Sequence, residues 1–200
     1  MRGGGILLAA GSSSRLGRSK QLESYQGESL LRRAARTLTE VRLAPVAVVL
    51  GANADLCEKE LEGLRVVPIR NENWTEGMGS SLRLGMRALR ERDPELEFIV
   101  VGLCDQPLVT SDVIRSLVEA HRGSERGVAA SEYCGIFGPP VLFHRKYFDA
   151  IEQLAGDRGA RAIITANLSD VIAVPFPGGA MDIDTEEDVR ALGCSSENRS

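Results

Sequence analysis

The chain has 200 residues, of which 43% are hydrophobic, and a formal net charge of −4 at neutral pH. That length suits one large domain or two small ones, and the hydrophobic content is sufficient for a buried core. Aromatic residues make up only 4%, so the core must be aliphatic, which favours layered α/β folds over aromatic-rich β-sandwiches. There is no basic stripe and no apolar run of roughly 20 residues, so neither nucleic acid nor a membrane is expected as a partner.

The four cysteines, at positions 57, 104, 134 and 194, are far apart and form no CxxC pair. Zinc ligation and disulfides are therefore not expected, and no secretory signal is apparent. These observations predict free thiols and a cytoplasmic location.

Strand and helix patterns alternate through the first third of the chain. Apolar runs at residues 6–10, 46–50 and 64–69 predict strands, the last at a sheet edge because Pro68 cannot donate to a ladder. Residues 29–39 and 55–61 have helical spacing. This alternation predicts parallel strands joined by right-handed crossovers.

The remainder is less regular. Residues 97–101, 127–131 and 171–174 predict further strands, and Thr110 or Ser111 is expected to cap a helix. Residues 135–140, rich in glycine and proline, predict a stiff turn. We see no internal repeat or linker, so we expect a single domain over residues 1–193 and a polar tail at 194–200.

The first strand runs into a loop of small residues. Gly11 and the serines after it leave the backbone accessible, so its N–H groups can approach an anion, and Arg15 and Lys20 can add positive charge. A Walker A loop is excluded because Arg18, not Lys, follows Gly17, and the dinucleotide fingerprint fails because the clustered glycines precede the strand. An ordinary strand-to-helix turn with solvated cations remains the alternative.

A second loop of small residues precedes a helical pattern at Leu82. Ser80 or Ser81 is a suitable N-cap for that helix. Alternatively, Gly77 and Gly79 would let backbone groups meet the edge of a nucleobase, which makes this a second ligand loop.

Asp105 follows the apolar run at residues 97–101, at the predicted carboxyl end of a central strand. Ligands of open parallel sheets bind at that end, where a carboxylate beside phosphates suits Mg²⁺. The alternative is an aspartate that only initiates the turn at Pro107.

Two later segments also carry charge. Asp182 and Asp184 would share one face if extended, although Asp184 alone reads as a helix cap, and Thr185 with Asp188 resembles a capping box. Residues 156–161 mix Asp157 with arginines, which suits substrate recognition or helix capping.

Taken in order, these segments resemble the MobA-like nucleotidyltransferases over residues 4–193. The glycine loop, LAAGSSSRLGRSK at residues 8–20, is similar to the signature loop of that family. Five later blocks resemble the branch that contains the molybdenum-cofactor cytidylyltransferases: NWTEGMGSSL at 73–82, DQP at 105–107, GPPVLF at 138–143, GDRGAR at 156–161 and DIDTEED at 182–188.

The resemblance implies a three-layer, Rossmann-like, mostly parallel mixed sheet with helices on both faces, as in nucleotide-diphospho-sugar transferases. It also implies transfer of a nucleoside monophosphate, with CMP from CTP favoured, onto a phosphorylated acceptor such as molybdopterin, with release of pyrophosphate. A molybdoenzyme is then a candidate partner. Alternatives are a sugar-phosphate or guanylyl transferase of the same fold, or a non-catalytic carrier that hands over a finished cofactor.

Site roles carried over from the family fall into four groups. Catalytic residues would be Arg15 and Lys20, and Mg²⁺ ligands would be Asp105 and Asp184. The nucleotide would be bound by Leu8, Ala9, Ala10, Gly11, Ser13, Gly79, Ser80 and Ser81. The acceptor would be bound by Pro140, Asp157 and Arg161. The chain departs from the family pattern at Pro139, where a histidine is frequent, and at Gln106, where methionine is common; both positions bear on the acceptor.

Overall fold

The structure, a computed structural model, describes residues 1–12, 17–183, 185, 187 and 188. Three of the predicted site residues, Ser13, Arg15 and Asp184, lie outside that part of the chain, as does the predicted tail at 194–200.

Helices and strands alternate through the described chain. The first half contains β1 (Gly3–Ala9), β2 (Ser24–Tyr25), β3 (Glu28–Ser29), α1 (Leu30–Glu40), β4 (Val46–Leu50), α2 (Ala54–Glu60), β5 (Val67–Arg70), α3 (Met78–Arg92) and β6 (Phe98–Leu103). The second half contains α4 (Ser111–Arg122), β7 (Val128–Tyr133), β8 (Ile136–His144), α5 (Phe148–Glu152), α6 (Ala160–Ala166) and β9 (Val171–Pro175).

Seven strands form one sheet in the order β5-β4-β1-β6-β8-β7-β9, and β2 and β3 form a separate hairpin. Strands β5, β4, β1 and β6 are parallel to one another, and β8 is antiparallel to both of its neighbours. The sheet is therefore mixed and mostly parallel, as expected. The predicted edge strand with Pro68 is β5, which does lie at an edge.

Side chains alternate between the two faces of the sheet, and helices cover both. In β1, Ile6 and Leu8 pack with α3, α5 and α6, whereas Leu7 and Ala9 pack on the other face with α1, α2 and α4. Both faces of the parallel strands are buried, which explains why those strands read as continuous apolar runs. The three-layer arrangement is confirmed.

Helix α3 lies especially close to the sheet. A Cβ atom on Gly85 would stand 2.8 Å from Cγ2 of Ile6 and 3.1 Å from Cγ2 of Val49. Only a residue without a side chain fits that gap, so the helix backbone rests directly on β1 and β4.

The turn predicted at residues 135–140 is wrong, because β8 begins at Ile136. The pairing of β8 with β7 moves from Ser131 opposite Gly138 to Ala130 opposite Val141, which leaves Pro139 and Pro140 in a bulge. Proline has no N–H to give to a ladder, and a bulge is one place in a sheet that tolerates it. The Ser131 hydroxyl donates to the Pro140 carbonyl at 2.7 Å and so provides a partner there.

Two predicted caps are confirmed. Thr110 precedes α4, and its side chain accepts a hydrogen bond from the Val113 amide. The Thr185 amide donates to Oδ2 of Asp188 at 2.7 Å, and the Asp188 amide donates to the Thr185 hydroxyl oxygen at 3.3 Å, which is the reciprocal pair of a capping box. Within the described part of the chain, no helix is both long and apolar enough to cross a membrane.

Candidate active site

A pocket of about 340 Å³ opens where β1 and β6 end. One wall is the end of β1 and the residues after it, and the opposite wall is the loop before α3. The lining residues are Leu8, Ala9, Ala10, Gly11, Ser12, Lys20, Gln21, Trp74, Thr75, Gly77, Met78, Ser81, Leu103, Cys104 and Asp105. The carboxyl ends of parallel strands are where such sheets bind ligands.

Lys20 and Asp105 meet in this pocket, although they are 85 positions apart in sequence. The Lys20 ammonium donates to Oδ2 of Asp105 at 2.6 Å, and the two side chains are only 15% and 16% exposed. The other carboxylate oxygen, Oδ1, is buried and accepts no hydrogen bond from the residues that the structure describes. A buried carboxylate oxygen without a partner is costly, so this atom is poised to accept a cation or a donor.

The glycine loop is anchored by a residue that we did not predict. Gln21 lies in the 3₁₀ turn Lys20–Leu22 and is 1% exposed. Its Nε2 donates to the carbonyl oxygens of Ala9, at 3.1 Å, and Gly11, at 2.6 Å. Nothing in the sequence distinguishes Gln21 from a surface glutamine, so this role emerges only from the fold.

The loop before α3 is built on Asn71, a second residue that we did not predict. Its buried Nδ2 donates to the hydroxyls of Ser80 and Ser81, each at 2.9 Å. The Ser80 hydroxyl contacts the carbonyls of Asn73 and Gly77 at 3.1 and 2.9 Å. Ser81 lines the pocket, whereas Ser80 and Gly79 are not among its lining residues.

The prediction that Ser80 or Ser81 is the N-cap of this helix is wrong. Helix α3 begins at Met78 with Gly77 as its N-cap, so both serines lie inside the helix. Their hydroxyls are taken by the Asn71 network instead of by amides of the first turn.

Trp74 and Met78 give the pocket an apolar side that sequence reasoning missed. Trp74 packs against the strand ends so closely that a Cβ atom on Gly51 would lie 2.9 Å from its Cγ. One sequence feature could have indicated a role for Trp74, since it is the single tryptophan of the chain and lies in a glycine-rich loop.

The two later loops of small residues contact each other. The Gly79 amide donates to the Gly156 carbonyl at 3.0 Å, and a Cβ atom on Gly79 would stand 2.8 Å from that oxygen. Asp157, predicted for the acceptor, lies beside Gly77, where a Cβ atom would come within 2.3 Å of its Oδ1. The structure therefore brings Asp157 next to Gly77, a residue of the predicted base loop that lines the pocket.

The other two predicted acceptor residues are also not among those that line the pocket. Pro140 is buried in β8, and Arg161 is exposed in the first turn of α6. Tyr133 lies against Gly138 of β8, where a Cβ atom would come within 2.1 Å of its hydroxyl oxygen, and burial, followed by the charge of Asp182, raises the pKa of that hydroxyl. Its ring packs edge-on against Phe176, with ring centroids 6.5 Å apart.

Cys104 lines the pocket with its thiol buried. Burial, followed by the charge of Asp105, raises the pKa of that thiol well above the ordinary range, which favours the thiol over the nucleophilic thiolate. Among the described residues that line the pocket, Lys20 and Asp105 are the two with charged side chains.

No group of three or more His, Cys, Asp or Glu side chains suited to a metal is found among the described residues. The ligand atom that does fit a cation is Oδ1 of Asp105, a hard oxygen that has no hydrogen-bond partner within the described ranges. Mg²⁺ is commonly held by one or two carboxylates, with water and substrate phosphates as its other ligands. A sparse site of this kind is therefore compatible with Mg²⁺.

Residues 5–171 match the MobA-like NTP transferase domain. The chain belongs to that family. Because the match covers β1 to the beginning of β9, it includes Lys20, Asp105 and both contacting loops of this MobA-like protein.

Three relatives align with this chain over nearly their full length. The chain is 34% identical to nicotine blue oxidoreductase of Paenarthrobacter nicotinovorans, covering 94% of this chain and 95% of the relative. It is 29% identical to the purine catabolism protein PucB of Bacillus subtilis, with 92% of each covered. It is also 29% identical to a probable molybdenum cofactor guanylyltransferase of Mycobacterium avium, with 94% and 93% covered.

Two solved structures are also similar to this MobA-like chain. The homologue of Mycobacterium tuberculosis Rv0371c from Mycobacterium sp. strain JC1 is 31% identical, with a TM-score of 0.80 and 100% of both chains covered. Rv0371c of M. tuberculosis in complex with manganese is 25% identical, with a TM-score of 0.77 and 96% and 98% of the chains covered. Nucleotidyltransferases are among the structural neighbours, which agrees with the fold predicted from sequence.

Proposed function

We propose that this MobA-like protein is a cytoplasmic enzyme that transfers CMP from CTP to a phosphorylated acceptor of the molybdopterin class and releases pyrophosphate. The observation that carries the proposal is the Lys20–Asp105 pair, which puts a cation and a half-satisfied carboxylate in a pocket lined by a glycine loop. A triphosphate needs both positive charge and accessible backbone amides.

In the proposed reaction, an oxygen of the acceptor phosphate attacks the α-phosphorus of CTP in line. A new P–O bond forms as the bond between the α-phosphorus and the pyrophosphate oxygen breaks. Such transfers ask little covalent work of the protein, so positioning and charge neutralisation account for most of the catalysis.

The residues of this chain divide that work. Lys20 would neutralise charge on the phosphates, and the backbone of Ala10 to Ser12 would donate amides to the triphosphate. Arg15 is proposed to act with Lys20, and Ser13 with the backbone. Met78 and Ser81 would contact the base and ribose, with Gly79 and Ser80 supporting them from behind the pocket wall.

Asp105, joined by Asp184, is proposed to hold Mg²⁺, which fits the free Oδ1 atom. When bound, the ion would orient the phosphates and offset the repulsion between two anionic substrates. The manganese complex of the relative Rv0371c supports a divalent cation in this family.

The choice of CTP rests on the sequence blocks that resemble the cytidylyltransferase branch. GTP is the second candidate, because a relative from M. avium is named as a probable molybdenum cofactor guanylyltransferase. The acceptor is proposed to lie towards Asp157, Arg161 and Pro140, on the far side of the base loop.

The proposal is tested by screening CTP, GTP, ATP and UTP, each with Mg²⁺, for thermal stabilisation and for acceptor-dependent pyrophosphate release. CTP at 100 times its Kd should add about 2.7 kcal/mol of stability, or roughly 5–10 °C in Tm for a chain of this size. Stabilisation by GTP instead would move the enzyme to the guanylyl class. Failure to release pyrophosphate with any nucleotide, alongside tight binding of a nucleotide-linked pterin, would make it a carrier.

A further inference from the structure

The Gln21 side chain is buried in a place where a purely structural residue would ordinarily be apolar. It is 1% exposed, and its carboxamide makes hydrogen bonds on both sides. Nε2 donates to the carbonyls of Ala9 and Gly11, and Oε1 accepts from the Ser19 hydroxyl at 2.6 Å. These three bonds connect the turn that carries Lys20 to the loop opposite.

These bonds determine which way the loop amides point. A trans peptide is planar, and its carbonyl and the following N–H point in opposite directions. Because the carbonyls of Ala9 and Gly11 face Gln21, the N–H groups of Ala10 and Ser12 face away from it. Within the described part of the chain, the Ser12 amide donates to no acceptor, so it is available to an anion.

The same turn also places the cation. Lys20 precedes Gln21 in the turn Lys20–Leu22, and its ammonium is 2.6 Å from Asp105. Anchoring Gln21 to the end of β1 therefore holds Lys20 and the loop amides in one fixed relation.

Resting on the proposed function, we infer that Gln21 is a positioning residue for the triphosphate. Its carboxamide orients the backbone of residues 9–12 so that the loop amides can bind phosphate oxygens, and it does so without touching the substrate. This role requires two hydrogen-bond donors and one acceptor at position 21, but no charge.

Two variants of matched size separate this role from simple space filling. Gln21→Glu keeps the shape but presents no donor to the two carbonyls while it is ionised, and Gln21→Met keeps the length but has no polar head. An unsatisfied buried carbonyl costs about 1–3 kcal/mol, so both should bind CTP with Mg²⁺ about 5- to 150-fold more weakly. The KM for the acceptor should not change.

Acidity gives a readout that packing alone would not. A buried carboxyl that faces two carbonyl oxygens is protonated at a higher pH than a free one, because its ionised form is disfavoured. Once protonated, it regains a donor. The CTP affinity of Gln21→Glu should therefore recover as the pH falls from 8 to 5, whereas that of Gln21→Met should keep a constant deficit relative to wild type.

The fluorescence of Trp74, the one tryptophan of the chain, reports binding because it lines the pocket. Gln153→Glu, at an exposed site on the α5 side of the molecule, is the matched control and should bind CTP as wild type does. Thermal melts establish that each variant is folded at the assay temperature, and Gln21→Met carries the test if Gln21→Glu does not fold.

Wild-type CTP affinity in a folded Gln21→Met or Gln21→Glu variant would overturn the inference. Equal losses in both that do not change with pH would overturn the hydrogen-bonding role in favour of packing. If the wild-type protein itself binds no CTP, the nucleotide proposal fails, which is a different result from either of these.

Discussion

At the scale of single residues, the site depends on the ion pair between Lys20 and Asp105, in which the two carboxylate oxygens have different surroundings. The Lys20 ammonium contacts one oxygen of Asp105, and the other oxygen is buried with no partner in the part of the chain that the structure describes. A carboxylate that only completed a salt bridge would have its second oxygen bonded or in water. The unequal use of its two oxygens is what distinguishes Asp105 from a structural ion-pair partner.

Replacing Lys20 by Ala should remove transition-state stabilisation of about 3–4 kcal/mol, a fall in kcat on the order of 10²–10³. The physical reason is loss of a preorganised cation from a mostly buried site. Pyrophosphate release under saturating CTP measures it. Lys59→Ala, which removes an equal charge from the exposed side of α2, is the control and should leave kcat unchanged; an equal effect of the two changes would rule out a local role for Lys20.

At the scale of elements, the pocket depends on two loops that come from distant parts of the chain. The start of α3 lies against residues 156–159 with almost no space between them, because Gly79 has no side chain. The proposed base side and acceptor side are thus one packed unit, so a change in either loop is transmitted to the other.

Gly79→Ala should separate the loops, because its Cβ atom would meet the backbone oxygens of Gly156 and Arg158 at 2.8 and 2.9 Å. Overpacking against backbone costs about 1–3 kcal/mol, so urea unfolding should show a loss of that size together with weaker CTP binding. Gly123→Ala makes the same change at the end of α4, where the nearest atom would be 3.6 Å away. We expect that control to be tolerated; equal stability of the two variants would show that the loop contact is not tight.

At the scale of the whole molecule, stability should respond to mild acid. His121 and His144 are the two histidines of the chain, and their ring centroids are 5.6 Å apart. Burial lowers the pKa of both, and in His144 the neighbouring His121 lowers it further. Lys146 lowers the pKa of both, whereas Glu97 raises both.

The direction of this pH dependence follows from the difference in proton binding between the folded and unfolded states. Both folded-state pKa values lie below the unfolded value of 6.5, so below that pH the unfolded chain binds more protons than the native protein. The free energy of unfolding should therefore be fully retained above about pH 6.5 and fall as the pH drops through the folded values. The slope is at most about 1.4 kcal/mol per pH unit for each histidine. Urea titrations from pH 7.5 to 5 measure it, and a His121→Phe variant should show a shallower decline; a flat profile in wild type would contradict the prediction.

The fold could be predicted from the sequence because strand and helix patterns depend on residues that are close together in the chain. Strand β4 was predicted with its observed bounds, since residues 46–50 are all apolar between Pro45 and Gly51. The prediction for residues 135–140 was wrong because strand pairing, and not local composition, determines their structure. Strand β8 contains two prolines that only a bulge opposite Ala130 and Ser131 can accommodate. Local propensity cannot foresee such a compensation.

The site residues likewise fall into those that could be predicted from the sequence and those that could not. Lys20 and Asp105 could be suggested because charge beside small residues at strand ends is a readable pattern. Asn71 and Gln21 could not, because their importance comes from which carbonyls and hydroxyls the fold brings to them. The sequence predicts Ser80 or Ser81 as a helix cap for the same reason, because it does not show which groups compete for their hydroxyls.

The glycine in the middle of α3 has a consequence for the width of the active site. Gly85 lets the helix lie against Ile6 and Val49 with no side chain between them. The pocket's two walls belong to these same elements, since Leu8 and Ala9 continue β1 and Ser81 is one turn of helix before Gly85. A methyl group at position 85 would push α3 away from β1 and β4 and so increase the distance between the two walls of the pocket. The width of the pocket in which we propose that a nucleotide binds therefore depends on Gly85, a residue that packs against the sheet and is not among those lining the pocket.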